Sequence, residues 1–363
     1  MSSQLTSEQR GALHAEFAGV AAVNEAQPLA EGEAASPSRR RGLVDGGAFI
    51  LDQPTEIPAV WGRGGAIAIS EGEPAMIAGP PGVGKSTLAQ NFCLHRVGLR
   101  DGNLLGLPVT QSAGRLLYVA ADRPAQIARS FRRMIHETDR KALNERILVW
   151  RGPLNFDLAL EPHKLAELAK ASNADTIVLD SLKDVALDLT KDETGSRVNL
   201  ALQHAVAEGI LPISLHHQRK ASGDNKAPRT LSDVYGSAWL TAGQGSVLLV
   251  WGEAGDPIVE LRHLKQPADD IGPLRLMHEA TTGAMSLHQP TDLLAMVNSA
   301  LSGGLTVAEA ACELFSTTSP SDVDREKARR RLNDLVGRGH ARKISASDGG
   351  PSRYRPIERQ VGP

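Results

Sequence analysis

The string Gly79-Pro80-Pro81-Gly82-Val83-Gly84-Lys85-Ser86-Thr87 holds glycines, a lysine and a hydroxyl at the spacing of a phosphate-binding loop. Glycines let the backbone turn several N–H groups inward toward one anion, and a helix N-terminus beside them favours negative charge. Lys85 is placed to reach the β- and γ-phosphates of a nucleoside triphosphate, and Ser86 to offer its hydroxyl to Mg²⁺. The alternative is a glycine-rich surface turn ahead of a helix. The flanks decide against it: Pro74–Ala78 reads as a short apolar strand and Leu88–Val97 has helical spacing. All nine residues from Gly79 to Thr87 are therefore expected to bind ATP with Mg²⁺.

Further chemistry must come from strand ends near that loop. Asp180 closes the apolar run Thr176–Leu179, where a Mg²⁺-organising carboxylate has to sit. A loop or capping Asp is the plainer reading of such a position, but the phosphate loop upstream favours the metal role. Hydrolysis also needs a group that orients or deprotonates water. Asp122, just after Leu116–Ala121, is one candidate, although it is equally able to cap a helix starting near Pro124. His217, at the end of the strand after Asp180, is the other. Adjacent His216 and His217 point to opposite faces of a strand, and His217 is assigned to the nucleotide side. No Cys or carboxylate cluster at ligand spacing supports a transition-metal site.

These groups require a parallel sheet to carry them. Apolar strands at 116–121, 146–150, 175–180 and 210–216 alternate with helical patterns at 124–137, 162–171 and 197–208, which predicts a parallel sheet covered on both faces. From Ser246 onward, strands at 246–251, 258–264, 274–278 and 284–287 follow one another without helices, as an antiparallel edge extension. The fold class is α/β, with an ATPase domain over 43–288. Residues 1–42 read as a flexible arm with one candidate helix at Ser7–Phe17, and Arg39–Arg41 as a solvated charge run. Residues 291–357 form a separate unit, with helices at 292–301, 306–314 and 324–337 and a hairpin around Asp348–Gly350. Three helices and a hairpin outline a small winged helix.

With 363 residues, 41% hydrophobic residues and a net charge of −2, the chain is long enough for a large and a small domain. Any basic surface must be local. No apolar run approaches the roughly 20 residues of a membrane span, and the first residues lack a signal-peptide pattern. Cys93 and Cys312 lie far apart in expected helices, which argues for free thiols in a reducing, cytoplasmic compartment. Two loops are suited to DNA: the mixed-charge segment Leu182–Ser196, and 219–229, which carries Arg219, Lys220, Lys226 and Arg229. The third C-terminal helix is basic, with Arg325, Lys327, Arg329, Arg330 and Arg331, and reads as a DNA-recognition or partner-docking helix.

GPPGVGKST at 79–87, LLYVAADRP at 116–124, TIVLDS at 176–181 and ISLHHQRK at 213–220 resemble RecA-like ATPases of the plasmid RepA-type and DnaB-type hexameric helicase group. The resemblance covers roughly 43–288. It implies that Asp122 stands where the family has a catalytic Glu, one methylene shorter, and that His217 matches the γ-phosphate sensor. It further implies that the nucleotide sits between subunits of a homo-hexamer, with Arg262 and Lys265 acting in trans. The expected function is an ATP-hydrolysing motor on single-stranded DNA, a phage- or plasmid-type replication helicase with no membrane association. The winged helix would contact duplex DNA or a partner, through residues such as Arg329 and Arg330. The alternatives are a RadA- or recombinase-like repair ATPase and an ATP-switched winged-helix regulator.

Overall fold

The computed structural model describes residues 44–100, 102–218, 230–288, 292–300, 303–315, 317–345 and 350–357. Two compact units divide the chain, Met1–Gln53 and Pro54–Pro363. The described part of the first holds one helix, α1 (Gly46–Leu51). The expected arm over 1–42, its helix at Ser7–Phe17 and the Arg39–Arg41 triplet lie outside the described residues.

The second unit begins with an antiparallel pair, β1 (Ala59–Arg63) and β2 (Ala66–Ser70), followed by β3 (Ala75–Gly79) and α2 (Lys85–Arg96). A short pair, β4 (Asn103–Leu104) and β5 (Leu107–Pro108), leads to β6 (Arg115–Ala120), α3 (Pro124–Arg132), α4 (Arg140–Arg146) and β7 (Ile147–Arg151). Next come α5 (Lys164–Ala171), β8 (Ala174–Asp180), α6 (Asp192–Ala207), β9 (Leu211–His217) and α7 (Trp239–Ala242). The strands β10 (Ser246–Trp251), β11 (Ile258–Lys265), β12 (Leu274–His278) and β13 (Met285–Leu287) complete the large sheet.

That sheet has nine strands in the order β13-β12-β11-β10-β3-β9-β8-β6-β7. Strands β10 to β7 run parallel, and β10 to β13 pair antiparallel in succession. This is the α/β arrangement expected, with the antiparallel extension on one edge. The burial of each strand follows its place. Every residue of β3 is buried, because helices cover both faces. In β11 burial alternates, because only one face meets the core. Along β3, Ile77 joins the core under α2, with Leu88, Phe92 and Tyr118, whereas Met76 and Ala78 join the core under α5 and α6, with Leu165 and Leu202. Trp61 of β1 is fully buried against Phe92 and donates its indole N–H to the Leu104 carbonyl at 3.0 Å. Among the described residues no helix is long and apolar enough to cross a membrane, and both cysteines are free.

Three local expectations are corrected. Helix α3 stops at Arg132 rather than continuing to Glu137. Asp139 accepts the His136 N–H at 2.8 Å in a capping box that starts a 3-10 turn at Glu137–Asp139 and leads into α4. Helix α6 begins at Asp192 rather than Arg197, with Asp192 and Glu193 in a first turn whose dipole favours acids. The segment 182–196, expected as a polar DNA loop, is packed down instead. Leu182, Val185, Ala186 and Leu189 are buried, and its last residues belong to α6.

The C-terminal elements are α8 (Leu293–Ser299), β14 (Leu305–Thr306), α9 (Val307–Phe315), α10 (Asp322–Gly337), β15 (Ala341–Ile344) and β16 (Arg353–Pro356). The three strands pair in the order β14-β16-β15 around a core of their own that includes Val297, Leu314, Leu332 and Tyr354. A capping box between Ser321 and Asp324 starts α10 two residues earlier than expected. The basic residues of α10 do not share one free face. Lys327 pairs with Asp256 of the β10–β11 connection at 3.7 Å, whereas Arg329 and Arg330 both bond Glu326, at 2.5 and 3.4 Å. The expected hairpin tip at Asp348 and Gly349 lies outside the described residues.

Candidate functional site

The loop from Gly79 to Thr87 joins the buried strand β3 to α2, whose N-cap is Gly84. Two of its glycines are required. Gly79 has φ +152°, and a Cβ there would stand 2.2 Å from the Val250 carbonyl oxygen. Gly82 has φ +80°, and a Cβ would meet that of Ala254 at 2.9 Å. The end of β10 at Val250 and the β10–β11 connection at Ala254 thus press against the loop, and no side chain fits between. Lys85 is buried and donates to the Pro80 carbonyl at 2.7 Å, so its ammonium is folded back over the loop. Burial pushes its pKa down to about 8, with the nearby Asp180 charge opposing and Lys183 adding to the shift.

Asp180, the last residue of β8, is also buried. Burial raises its pKa, whereas hydrogen bonds from Tyr118 and Ser86 and the charge of Lys85 favour the carboxylate. The Tyr118 hydroxyl donates to Asp180 Oδ2 at 2.7 Å from the neighbouring strand β6. The Asp180 carbonyl accepts the N–H groups of Ala121 and Asp122 at 3.0 and 3.3 Å, which draws the end of β6 to the end of β8. Asp122 does not cap α3: Arg123 occupies the N-cap at φ +48°, and no side chain caps that helix. The Asp122 carboxylate instead faces Lys183 at 3.8 Å and Arg123 at 3.7 Å.

Parallel register brings β9 into line, with Gly79 beside His217 and Asp180 beside Leu215. His216 is fully buried, and its Nε2 lies 2.7 Å from the Tyr235 carbonyl oxygen. Burial lowers its pKa to about 4, so it is neutral in the sheet. His217 is half-buried, and its pKa is lowered by burial and then by the charges of Lys85 and Lys183, which places it among the loop's cations. Lys85, Asp122, Asp180 and His217 therefore converge at the C-terminal ends of adjacent strands, the position for ligands in open α/β sheets.

A hydroxyl at Ser86 and a carboxylate at Asp180 are hard oxygen donors that suit Mg²⁺. Among the described residues no group of three or more His, Cys, Asp or Glu side chains offers a full protein cage.

The other expected residues stand apart from this cluster. On β11, Arg262 pairs with Glu260 and lies opposite Leu249, two strands from β3. Lys265 donates to the Ala242 carbonyl at 2.6 Å, at the end of α7. Arg219, Lys220, Lys226 and Arg229 lie outside the described residues. Tyr118 and Lys183 belong to the site and went unread in the sequence. In LLYVAA, Tyr118 looks like ordinary core, and only the pairing of Ala120 with Asp180 brings it to the carboxylate. Lys183, three residues after Asp180, carried a weak signal by proximity alone.

Residues 34–223 match the AAA_25 family model, described as an AAA domain. A solved structure of another ATPase domain is similar at 14% sequence identity and a TM-score of 0.46, over 60% of this chain and 86% of that chain. The comparison with curated proteins returns no match.

Proposed function

The chain belongs to the AAA_25 family of AAA domains, and from that premise we propose that it is a RecA-like P-loop ATPase and an ATP-hydrolysing DNA motor. In this reading it is a helicase-like replication ATPase of phage or plasmid type that acts on single-stranded DNA as a homo-hexamer. Residues 43–288 form its motor, and 291–357 a winged helix for duplex DNA or a partner. The observation that carries the reading is the convergence of Lys85, Asp122, Asp180 and His217, of which His217 lies directly ahead in sequence of the basic segment 219–229.

In the proposed mechanism the loop N–H groups and the Lys85 ammonium bind the phosphates, and Ser86 with Asp180 holds Mg²⁺. When bound, the metal neutralises charge on the phosphates. Tyr118 orients the Asp180 carboxylate. Asp122 accepts the proton of the attacking water. His217 lies where it can respond to the γ-phosphate and pass that state to the segment that follows it. Arg262 and Lys265 serve a neighbouring subunit, exchanging their contacts with Glu260 and the end of α7 for its nucleotide. Arg219, Lys220, Lys226 and Arg229 track the DNA backbone, and Arg329 and Arg330 extend the basic surface on α10.

One observation favours a second reading. Asp122 is engaged by Lys183 and Arg123, and a restrained base suits a slow, ATP-switched regulator. ATP turnover with and without single-stranded DNA, alongside native mass, separates the two. DNA-stimulated turnover by a hexamer supports the motor. Turnover indifferent to DNA, with tight binding to one duplex sequence, rejects it.

A further inference from the structure

A cavity of about 280 Å³ lies between the sheet and α10, walled on its apolar side by Trp251 and Phe315. Its charged lining is unbalanced. Asp256 already pairs with Lys327 at 3.7 Å, and Glu260 with Arg262. Two further arginines, Arg275 of β12 and Arg331 of α10, face the same space. No carboxylate of the described residues lies within ion-pair distance of either. Burial, and then the charge of Arg275, disfavour the charge on Arg331. Beside Arg275 is His288, buried, whose backbone N–H donates to the Arg275 carbonyl at 2.8 Å and whose ring Nε2 has no hydrogen-bond partner. Both arginines help to keep that imidazole neutral.

Like charges brought together across a cavity without a counter-ion cost stability. Departures of this kind from local consistency concentrate at functional sites. We propose that the cavity between β11, β12 and α10 is a binding site for a phosphate group, held by the guanidinium groups of Arg275 and Arg331. Guanidinium forks match phosphate oxygens in pairs. Two guanidinium forks lining one cavity offer more donors than a single carboxylate has oxygens to accept, and so suit the oxygens of a phosphate. The site is separate from the nucleotide loop and does not depend on the motor reading.

The test uses the full chain with Arg275→Gln, Arg331→Gln and the double variant, none of which touches the nucleotide site. In phosphate-free, low-salt buffer each single variant is expected to melt at or above the wild-type temperature, because repulsion is relieved. Inorganic phosphate should then raise the wild-type melting temperature more than that of the double variant; the response of the nucleotide loop is common to both. A labelled single-stranded oligonucleotide, titrated by fluorescence anisotropy, distinguishes the sources of the phosphate. A loss of about tenfold in affinity, with a salt dependence flattened by about one for each arginine, assigns the group to a nucleic-acid backbone. An unchanged oligonucleotide affinity with a lost phosphate response assigns it to a small phosphate ligand. Identical responses of wild type and double variant to both probes overturn the site. So does a marked loss of stability in the single variants without phosphate, which makes the arginines structural.

Discussion

The Tyr118 hydroxyl and the Asp180 carboxylate meet at 2.7 Å across two neighbouring parallel strands, so the acid beside the loop is oriented by a side chain from β6, a strand that is its neighbour in space but not the one before it in the chain. The hydrogen bond favours the ionised form, against burial that disfavours it. Tyr118→Phe should therefore move the Asp180 pKa further up and cost on the order of 2 kcal/mol of stability. In a pH–turnover profile the acidic limb should shift to higher pH. An unmoved limb would show that Tyr118 packs without tuning the acid.

Lys85 gives a second pH signature. Its folded-state pKa, about 8, lies below the ordinary value of 10.5. The unfolded chain therefore binds more protons between those values, and stability rises with pH through that window. Wild type should gain on Lys85→Met by up to about 3 kcal/mol between pH 8 and 10.5. ATP affinity should fall over the same rise as the amine loses its charge. Parallel melting curves for the two proteins across this range would refute the buried ammonium. Lys85→Met should also abolish turnover.

Asp122 and Lys183 form the third test. If Asp122 takes the proton from water, Asp122→Asn lowers single-turnover hydrolysis by about 10²–10⁴-fold and leaves ATP binding in place. Lys183→Met removes the ammonium 3.8 Å from that carboxylate and should raise the hydrolysis rate. Retained hydrolysis in Asp122→Asn removes Asp122 from the mechanism.

His216 and His217 are neighbours with different tasks, and acid separates them. His216 is held neutral, with its pKa lowered to about 4. Stability is then present above the ordinary 6.5 and is lost as pH falls from 6.5 toward 4. His216→Gln should flatten that acid loss by up to about 3 kcal/mol, with His263, also lowered to about 4, and the lowered His217, His278 and His288 contributing to what remains. His217→Asn should leave most of the acid curve intact and instead weaken the coupling of ATP to DNA. Chemical denaturation at several pH values reads the first effect and DNA-stimulated turnover the second. Equal acid curves for wild type and His216→Gln would contradict the buried, neutral ring.

The phosphate loop was readable because its chemistry is local. Nine consecutive residues supply the turn, the N–H groups, the ammonium and the hydroxyl, and the strand and helix around them are written in hydrophobic spacing. Asp180 was readable for the same reason, as a polar residue ending a wholly apolar run. What depended on folding is everything that joins separate strands. The Tyr118–Asp180 bond exists because β6 and β8 are neighbours, a pairing that strand periodicity cannot reveal. The engagement of Asp122 by Lys183, rather than by the start of α3, was settled by the register of strand ends. Buried Leu182, Val185, Ala186 and Leu189 keep the spacing of a helix face, but Lys183, Asp184 and Asp188 between them made the segment 182–196 look polar. The basic helix α10 appeared to be one surface until packing turned Lys327 and Arg331 toward the sheet. Composition along a chain records which charges exist; only the packing of one element against another sets which of them meet.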